Sequence, residues 1–330
     1  MIPDQWYAVL ESKEVPAAKP RAFRRLGQDL VFWRDGAGNL SVMPDRCPHR
    51  SAQLSLGKVV NGNIECPFHG FQFNTAGHIQ LIPANGRNGN KPAAFQCHSF
   101  PVREAQGFVW IWNGAPRATY PDLPWFDNLT GLVNAGSFSA RWQTHYTRAI
   151  EGMLDVSHLP FVHRNTIGRG NATLVNGPYT TIEDNRIRVW YDNQPDAGLP
   201  AIKPTEMPPP HRPPLLYFNF PNVWQIGLGA KLRIVNIMAP VDDENTVIYS
   251  LTFQGFVRLP GLRKLMDAWF NLFNRYVLNE DYAVARSQRP KKSDLHIGEL
   301  FIPADRPIAL YLQHRRRLIE QVPANAEASE

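Results

Sequence analysis

Only three cysteines, Cys47, Cys66 and Cys97, occur in 330 residues. A small, odd number leaves no closed disulfide framework and argues for a reducing compartment. Residues 1–10, MIPDQWYAVL, lack the basic start, the apolar core and the small-residue cleavage site of a secretory signal, so a cytoplasmic location is expected. Long apolar runs are missing too. Those at 30–33 and 108–112 are strand-sized and fall short of the roughly 18 residues a membrane span needs. Disorder-prone composition is confined to the small, polar stretch 324–330. Charge is modest, with 19% charged residues, 43% hydrophobic residues and a net charge of +6, the profile of a globular chain long enough for two cores. The basic residues gather at Arg286, Arg289, Lys291 and Lys292, then at 314–317. Neither a nucleic-acid motif nor an interleaved aromatic platform accompanies them. Nucleic acid is therefore not an expected partner. A solvated helical face is the favoured reading of these charges, with docking of an acidic electron-transfer protein as the alternative.

Residues 5–112 read as short strands, WYAVL, DLVFW, LSVM, GNIECPF, HIQLI and GFVWIW, each bounded by turn-forming residues. That is the pattern of a small all-β domain. Gly114-Ala115-Pro116 and the proline-flanked segment 120–124 stop any regular element, so a first domain at 1–116 and a second at 117–330 are expected. The second domain reads as α+β. Ile150, Leu154 and Phe161 predict a helix within 144–163, broken near Pro160. Runs at 186–191, 215–220, 223–228, 232–238 and 247–253 predict strands. Leu262, Met266, Trp269, Phe273, Val277 and Val284 predict one apolar helical face over 260–288. The segment 195–214 holds eight prolines and is expected to be a surface excursion or lid.

Two loops each offer one thiolate and one imidazole: Cys47-Pro48-His49-Arg50 and Cys66-Pro67-Phe68-His69-Gly70. A [2Fe–2S] centre of the Rieske kind needs two cysteines on one iron and two histidines on the other. Neutral imidazoles leave the reduced centre less negative, which raises its potential. A structural Cys2His2 zinc site is the competing reading, but zinc fingers pair like with like, whereas each pair here is mixed. Cys97 has no matching partner and reads as an ordinary buried thiol.

A second constellation runs Glu151-x3-Asp155-x2-His158-x4-His163. Five residues is off the spacing that keeps two ligands on one helical face, and a break at Pro160 would swing His163 round. Asp155 lies one helical turn before His158 and can accept that ring's second N–H. Two imidazoles leave a non-haem iron one ligand short of a 2-His-1-carboxylate set. Asp281, set in the apolar stripe of the late helix, is the candidate, because a carboxylate facing a core is costly unless it meets a cation. Glu280, about 100° round the helix, is its competitor. A redox cluster in the same chain needs an electron acceptor, so the two sites together imply oxygen chemistry at an iron beside a substrate. The rival is an electron carrier fused to a ligand-binding module, without oxygenase activity. Trp190, Phe218, Phe220 and Trp224 read as core, with pocket lining as the alternative.

CPHR at 47–50, CPFHG at 66–70, E-x3-D-x2-H-x4-H at 151–163 and NED followed by SQRP at 279–290 carry a resemblance over nearly the whole chain. It resembles the α subunits of Rieske non-haem iron (ring-hydroxylating) oxygenases, in the homotrimeric branch with vanillate O-demethylase, dicamba monooxygenase and the pheophorbide a oxygenases. The resemblance implies a START-like helix-grip fold for the second domain. It implies a [2Fe–2S] cluster on Cys47, His49, Cys66 and His69, and a mononuclear Fe(II) on His158, His163 and Asp281. Asp155 would bridge to His69 of a neighbouring subunit in a homotrimer. O2 would be the co-substrate, with electrons from NAD(P)H through a ferredoxin or flavin-containing reductase. The substrate would be a small aromatic or cyclic molecule. Glu151 stands where the naphthalene-dioxygenase-like branch commonly has Asn, which points towards monooxygenation or demethylation and away from cis-dihydroxylation.

Overall fold

The computed structural model describes residues 1–17, 19–170, 172–257 and 260–321; the polar stretch 324–330 lies outside them. Two compact units emerge, one from Asp4 to Pro121 and one from Asp122 onward that also takes in Met1–Pro3.

The first unit is all-β, as its strand-and-turn rhythm predicts. Its strands are β1 (Gln5–Glu11), β2 (Arg21–Arg25), β3 (Gln28–Arg34), β4 (Leu40–Pro44), β5 (Lys58–Val60), β6 (Asn63–Glu65), β7 (Gln72–Phe73), β8 (Ile79–Leu81), β9 (Val102–Ala105) and β10 (Phe108–Asn113). They pair antiparallel in three small sheets, ordered β1-β10-β9, β2-β3-β4 and β5-β6-β7-β8. Strands β3 and β10 do not alternate: Leu30 to Trp33 and Phe108 to Trp112 are buried at every position, so both faces of these strands are covered. The shorter strands of the third sheet serve mainly to hold turns. Among them the turn Cys66 to Phe71 joins β6 to β7; a second turn, Cys47 to Ala52, follows β4 of the second sheet.

The second unit contains β11 (Val133–Trp142), α1 (Tyr146–Leu154), α2 (Leu159–Val162), β12 (Leu174–Glu183), β13 (Arg186–Gln194), β14 (Leu216–Asn219), β15 (Val223–Gly227), β16 (Leu232–Pro240), β17 (Thr246–Gln254), α3 (Pro260–Ala285) and α4 (Arg306–Glu320). Seven strands form one antiparallel sheet in the order β11-β17-β16-β15-β14-β13-β12. Helix α3 lies along β11 and β17, α1 against β16, and α4 against β12 and β13. This is the α+β, helix-grip arrangement. The two edge strands escape a local reading, for the same reason in each. Strand β11 carries Gly136 at φ 109° and a register shift between Asn134 and Ser137; β12 carries Gly177 at φ 91°, followed by Pro178, and a shift between Asn176 and Tyr179. Bulges on edge strands absorb residues that would break a central strand.

The first helix ends earlier than Pro160 suggests. Asp155 caps α1 by donating its N–H to Glu151 O at 2.9 Å, while its Oδ1 accepts from the N–H groups of Ser157 at 2.7 Å and His158 at 3.3 Å. The side chain therefore turns the backbone before the proline is reached. Pro160 falls in the first turn of α2, where a missing N–H costs little. Helix α1 is buried on nearly all sides. Ile150, Met153 and Leu154 each contribute about 1.5–3 kcal/mol of apolar burial.

Helix α3 ends at Ala285, and its apolar residues divide between two faces. Leu278 and Ala285 are buried, whereas Leu262, Leu265, Trp269, Leu272 and Tyr276 form an exposed ridge and Val284 is also exposed. The single buried stripe expected from periodicity is thus not what the helix presents. Residues 195–214 are irregular and tied down by Gly177 N–H to Ile202 O (2.9 Å) and Trp190 Nε1 to Arg212 O (2.6 Å). In the late basic segment Lys291 pairs with Glu244 at 3.1 Å, and Arg286, Arg289 and Lys292 are exposed. No helix among the described residues is long and apolar enough to cross a membrane.

Candidate active site

The first unit builds the same turn twice. Cys47 O accepts from Ser51 N–H at 2.9 Å and Cys47 N–H donates to Ala52 O at 2.8 Å. Cys66 O accepts from Gly70 N–H at 3.0 Å and Cys66 N–H donates to Phe71 O at 2.8 Å. Each turn closes on a residue with positive φ, Ser51 at 59° and Gly70 at 71°, a conformation that glycine adopts freely. Both thiols point into the core and are 2% exposed. Burial, together with the neighbouring Cys66 thiol and against the backbone N–H of His49, pushes the Cys47 thiol up to about 11. The imidazoles sit outside them: the His49 and His69 rings are 4.8 Å apart, His49 stacks on Phe71 at 4.7 Å, and His69 is exposed. Two thiols inward and two imidazoles outward suit an asymmetric [2Fe–2S] centre whose histidine side reaches the surface. Cys97 is buried in the same core, its thiol pushed up to about 12 by burial and then by Cys47 and Cys66.

In the second unit the end of α1 at Leu154 and the turn that follows bring His158 and His163 to one side of α3. Asp281 Oδ1 lies 2.9 Å from His163 Nε2 and 3.4 Å from His158 Nε2. One ligand atom from each of the three residues lies within 4.8 Å of the others. Glu280 takes a different place: its Oε2 is 2.9 Å from His163 Nδ1 and accepts from Thr166 Oγ1 at 2.7 Å. The adjacent carboxylates therefore occupy different places, Asp281 facing the Nε2 atoms of both rings and Glu280 the far side of one. Neither the role of Glu280 nor that of Thr166 is visible in residue spacing. Burial resists charging His158, but Asp155 and Asp281 outweigh it and push its pKa up to about 9. Burial likewise raises the Asp281 carboxyl, and the two imidazoles overcome it and leave the group below its ordinary range. A concentrated negative charge facing two imidazoles fits a divalent non-haem iron.

If His163 is an iron ligand held by Glu280, Glu280→Gln is expected to weaken iron retention by about 10- to 100-fold. Metal analysis after dialysis against a graded chelator series measures this. Total iron loss without chelator would instead make Glu280 a ligand.

Asp155 is further from His158 Nδ1, at 3.8 Å, than a hydrogen bond allows, and that nitrogen has no other partner. Its Oδ1 is engaged by Ser157 and the His158 backbone. Behind it, Glu151 is 6% exposed and pairs with the buried Arg148 at 2.9 Å; it also accepts from the Ser293 hydroxyl, and Arg148 reaches Glu299 at 2.7 Å. Removing one partner of such a buried ion network typically costs about 3–5 kcal/mol.

The triad opens on a cavity of about 420 Å3 between the sheet and α1, α2 and α3. Its walls are largely apolar, including Ile226, Ile234, Phe273 and Val277. Of the four sheet aromatics singled out by sequence, only Trp224 lines it. Phe218 and Phe220 pack on Tyr311, with ring centroids 5.4 and 5.6 Å away. No described residue of 195–214 borders the cavity.

Residues 5–101 match the Rieske [2Fe-2S] domain family, and residues 142–321 match the vanillate O-demethylase oxygenase C-terminal domain family. The chain is 33% identical over 168 residues to Protein TIC 55, chloroplastic, of Arabidopsis thaliana, covering 49% of this chain and 31% of that one. It is 31% identical over 169 residues to the vanillate O-demethylase oxygenase subunit of a Pseudomonas species, covering 50% and 46%. The matched region thus spans less than half the length of either relative. Among solved structures it resembles the QL mutant of Pseudomonas putida CBB5 NdmA with theobromine, at a TM-score of 0.77 and 25% identity over 96% of this chain and 90% of that one.

Proposed function

The chain belongs to the Rieske non-haem iron oxygenases, with a C-terminal domain of the vanillate O-demethylase type; on that premise we propose that it hydroxylates a small organic substrate at the expense of O2. The observation that carries this reading is the His158–His163–Asp281 set opening on an apolar cavity, in a chain that also bears the paired Cys/His turns. Cys47, His49, Cys66 and His69 would hold the cluster, and His158, His163 and Asp281 the mononuclear iron. When bound, these groups supply single electrons and oxygen activation. Asp281 neutralises the metal charge, Glu280 fixes the ring plane of His163, and the apolar walls exclude water and hold the substrate C–H bond against the triad. Hydroxylation at an O- or N-methyl carbon would appear as demethylation, the reaction for which the vanillate relative is named. Electrons would arrive from NAD(P)H through a ferredoxin or flavin-containing reductase, in the cytoplasm.

Asp155 is proposed as the link between a cluster histidine and His158, formed between subunits of a homotrimer. It borders the substrate cavity and also a second hollow of about 350 Å3 with Glu151, His158 and Asp305, on whose lining Leu300 is 95% exposed. The exposed His69 of a neighbouring copy is a group of the right chemistry to meet it, since a carboxylate can accept from two imidazoles at once. Asp155→Asn is expected to leave both metals and the oligomer in place while turnover falls at least tenfold, about 1.4 kcal/mol of barrier. A smaller loss, with metals and assembly intact, would reduce Asp155 to the residue that caps α1.

A further inference from the structure

The wall of the cavity carries buried polar atoms that nothing in the protein satisfies. Trp224, Asn236 and Ser250 are register partners on the adjacent strands β15, β16 and β17, and all three line the cavity. Asn236 is 5% exposed. Its Nδ2 donates to the weak acceptor Met153 Sδ at 3.3 Å, and its Oδ1 has no partner. Trp224 is 7% exposed and its Nε1 has no acceptor. Further along the lining, Asn193 donates Nδ2 to Val156 O at 3.1 Å and leaves its Oδ1 unpaired. Leaving such groups dry and unpaired is unfavourable, so an otherwise apolar wall that keeps them is built for an occupant that completes them.

The charge pattern restricts that occupant. Apart from His158, His163, Asp155 and Asp281, the charged side chain among the described lining residues is Arg169, which is exposed and donates its Nε to Asn165 O at 3.0 Å. Apart from the triad itself, the described lining residues supply no buried cation to neutralise a carboxylate or sulfonate, whose desolvation there would go uncompensated. We propose that this oxygenase selects an uncharged substrate. Its body would be mainly apolar, it would carry an N–H or O–H donor for the asparagine oxygens, and it would carry an acceptor for Trp224 Nε1. Asn236 and Trp224 are then specificity-determining residues. The proposal rests on the oxygenase reading only in taking this cavity as the substrate site.

Anaerobic calorimetry on the metal-loaded protein tests it with three matched probes: a methoxynaphthamide, the corresponding methoxynaphthoate and the parent methoxynaphthalene. The amide is expected to bind at least tenfold more tightly than either of the others. Asn236→Leu should abolish the amide's advantage over the parent ether. Trp224→Phe, which keeps an aromatic ring and removes the donor, should weaken the amide several-fold and guards against misfolding of the first variant. Tightest binding of the naphthoate, amide binding unchanged in both variants, or no binding of any probe would each overturn the proposal. Binding is read without turnover. A protein that discriminates the amide in this way yet oxidises nothing would uphold the substrate class and fault the oxygenase reading instead.

Discussion

Asp281→Ala is expected to strip the mononuclear iron and abolish turnover while the visible and EPR spectra of the cluster stay unchanged. Iron content should fall from about three to about two atoms per chain, the difference between one mononuclear site plus a [2Fe–2S] centre and that centre alone. Asp281 Oδ1 approaches both ligand nitrogens, at 2.9 and 3.4 Å. Outside the paired Cys/His turns, no other group of three potential ligands with atoms within 4.8 Å of one another is found among the described residues. Without that carboxylate, two neutral imidazoles would have to hold a hard divalent ion in a partly desolvated site. Turnover should drop by more than about a thousandfold, or roughly 4 kcal/mol at 1.4 kcal/mol per decade. If Asp281→Ala retains full iron while Glu280→Ala loses it, the two carboxylates have been given the wrong roles. A wild-type protein with only two irons and no oxygen uptake would favour the electron-carrier reading.

Cys66→Ser should be as damaging at the other centre. The Cys47 and Cys66 thiols are buried, in turns whose backbone hydrogen bonds do not involve the sulfur. A serine can therefore keep the turn while losing the soft thiolate that an iron–sulfur cluster requires. The variant is expected to be colourless, to show no Rieske EPR signal after reduction, and to consume no oxygen when supplied with reductant, while its mononuclear iron and far-UV circular dichroism persist. Cys97→Ser, by contrast, should leave the cluster signal intact. Stoichiometric zinc in place of iron in anaerobically prepared wild-type protein would overturn the assignment of the whole first centre.

Chemistry concentrated in short stretches was legible from residue order alone. The mixed Cys/His pairs lie within single turns, so covalent connectivity already brings each thiol near its imidazole. The same holds for Asp155, His158 and His163. The all-β texture of the first unit and five strands of the second followed from runs of apolar residues bounded by turn formers. Strands β11 and β12 did not, because a Gly in each, and in β12 a Pro, sits in a bulge that only an edge position tolerates. Local reasoning favours Asp281 over Glu280 for its place in an apolar stripe, since adjacent residues differ by about 100° of helix rotation. The periodicity of α3 proved misleading, since its ridge from Leu262 to Tyr276 is exposed. What brings Asp281 towards both Nε2 atoms is how α3 lies against the segment that holds His158 and His163, with Glu280 lying 117 positions along the chain from His163. The row of Trp224, Asn236 and Ser250 is of the same kind. Each residue is unremarkable in its own strand, and only strand register places three polar groups side by side on the cavity wall. Residue order thus determines which groups can act together when they are neighbours in the chain. For groups brought together by packing, helix phase and sheet register decide, because those are set by long-range contacts that no local pattern encodes.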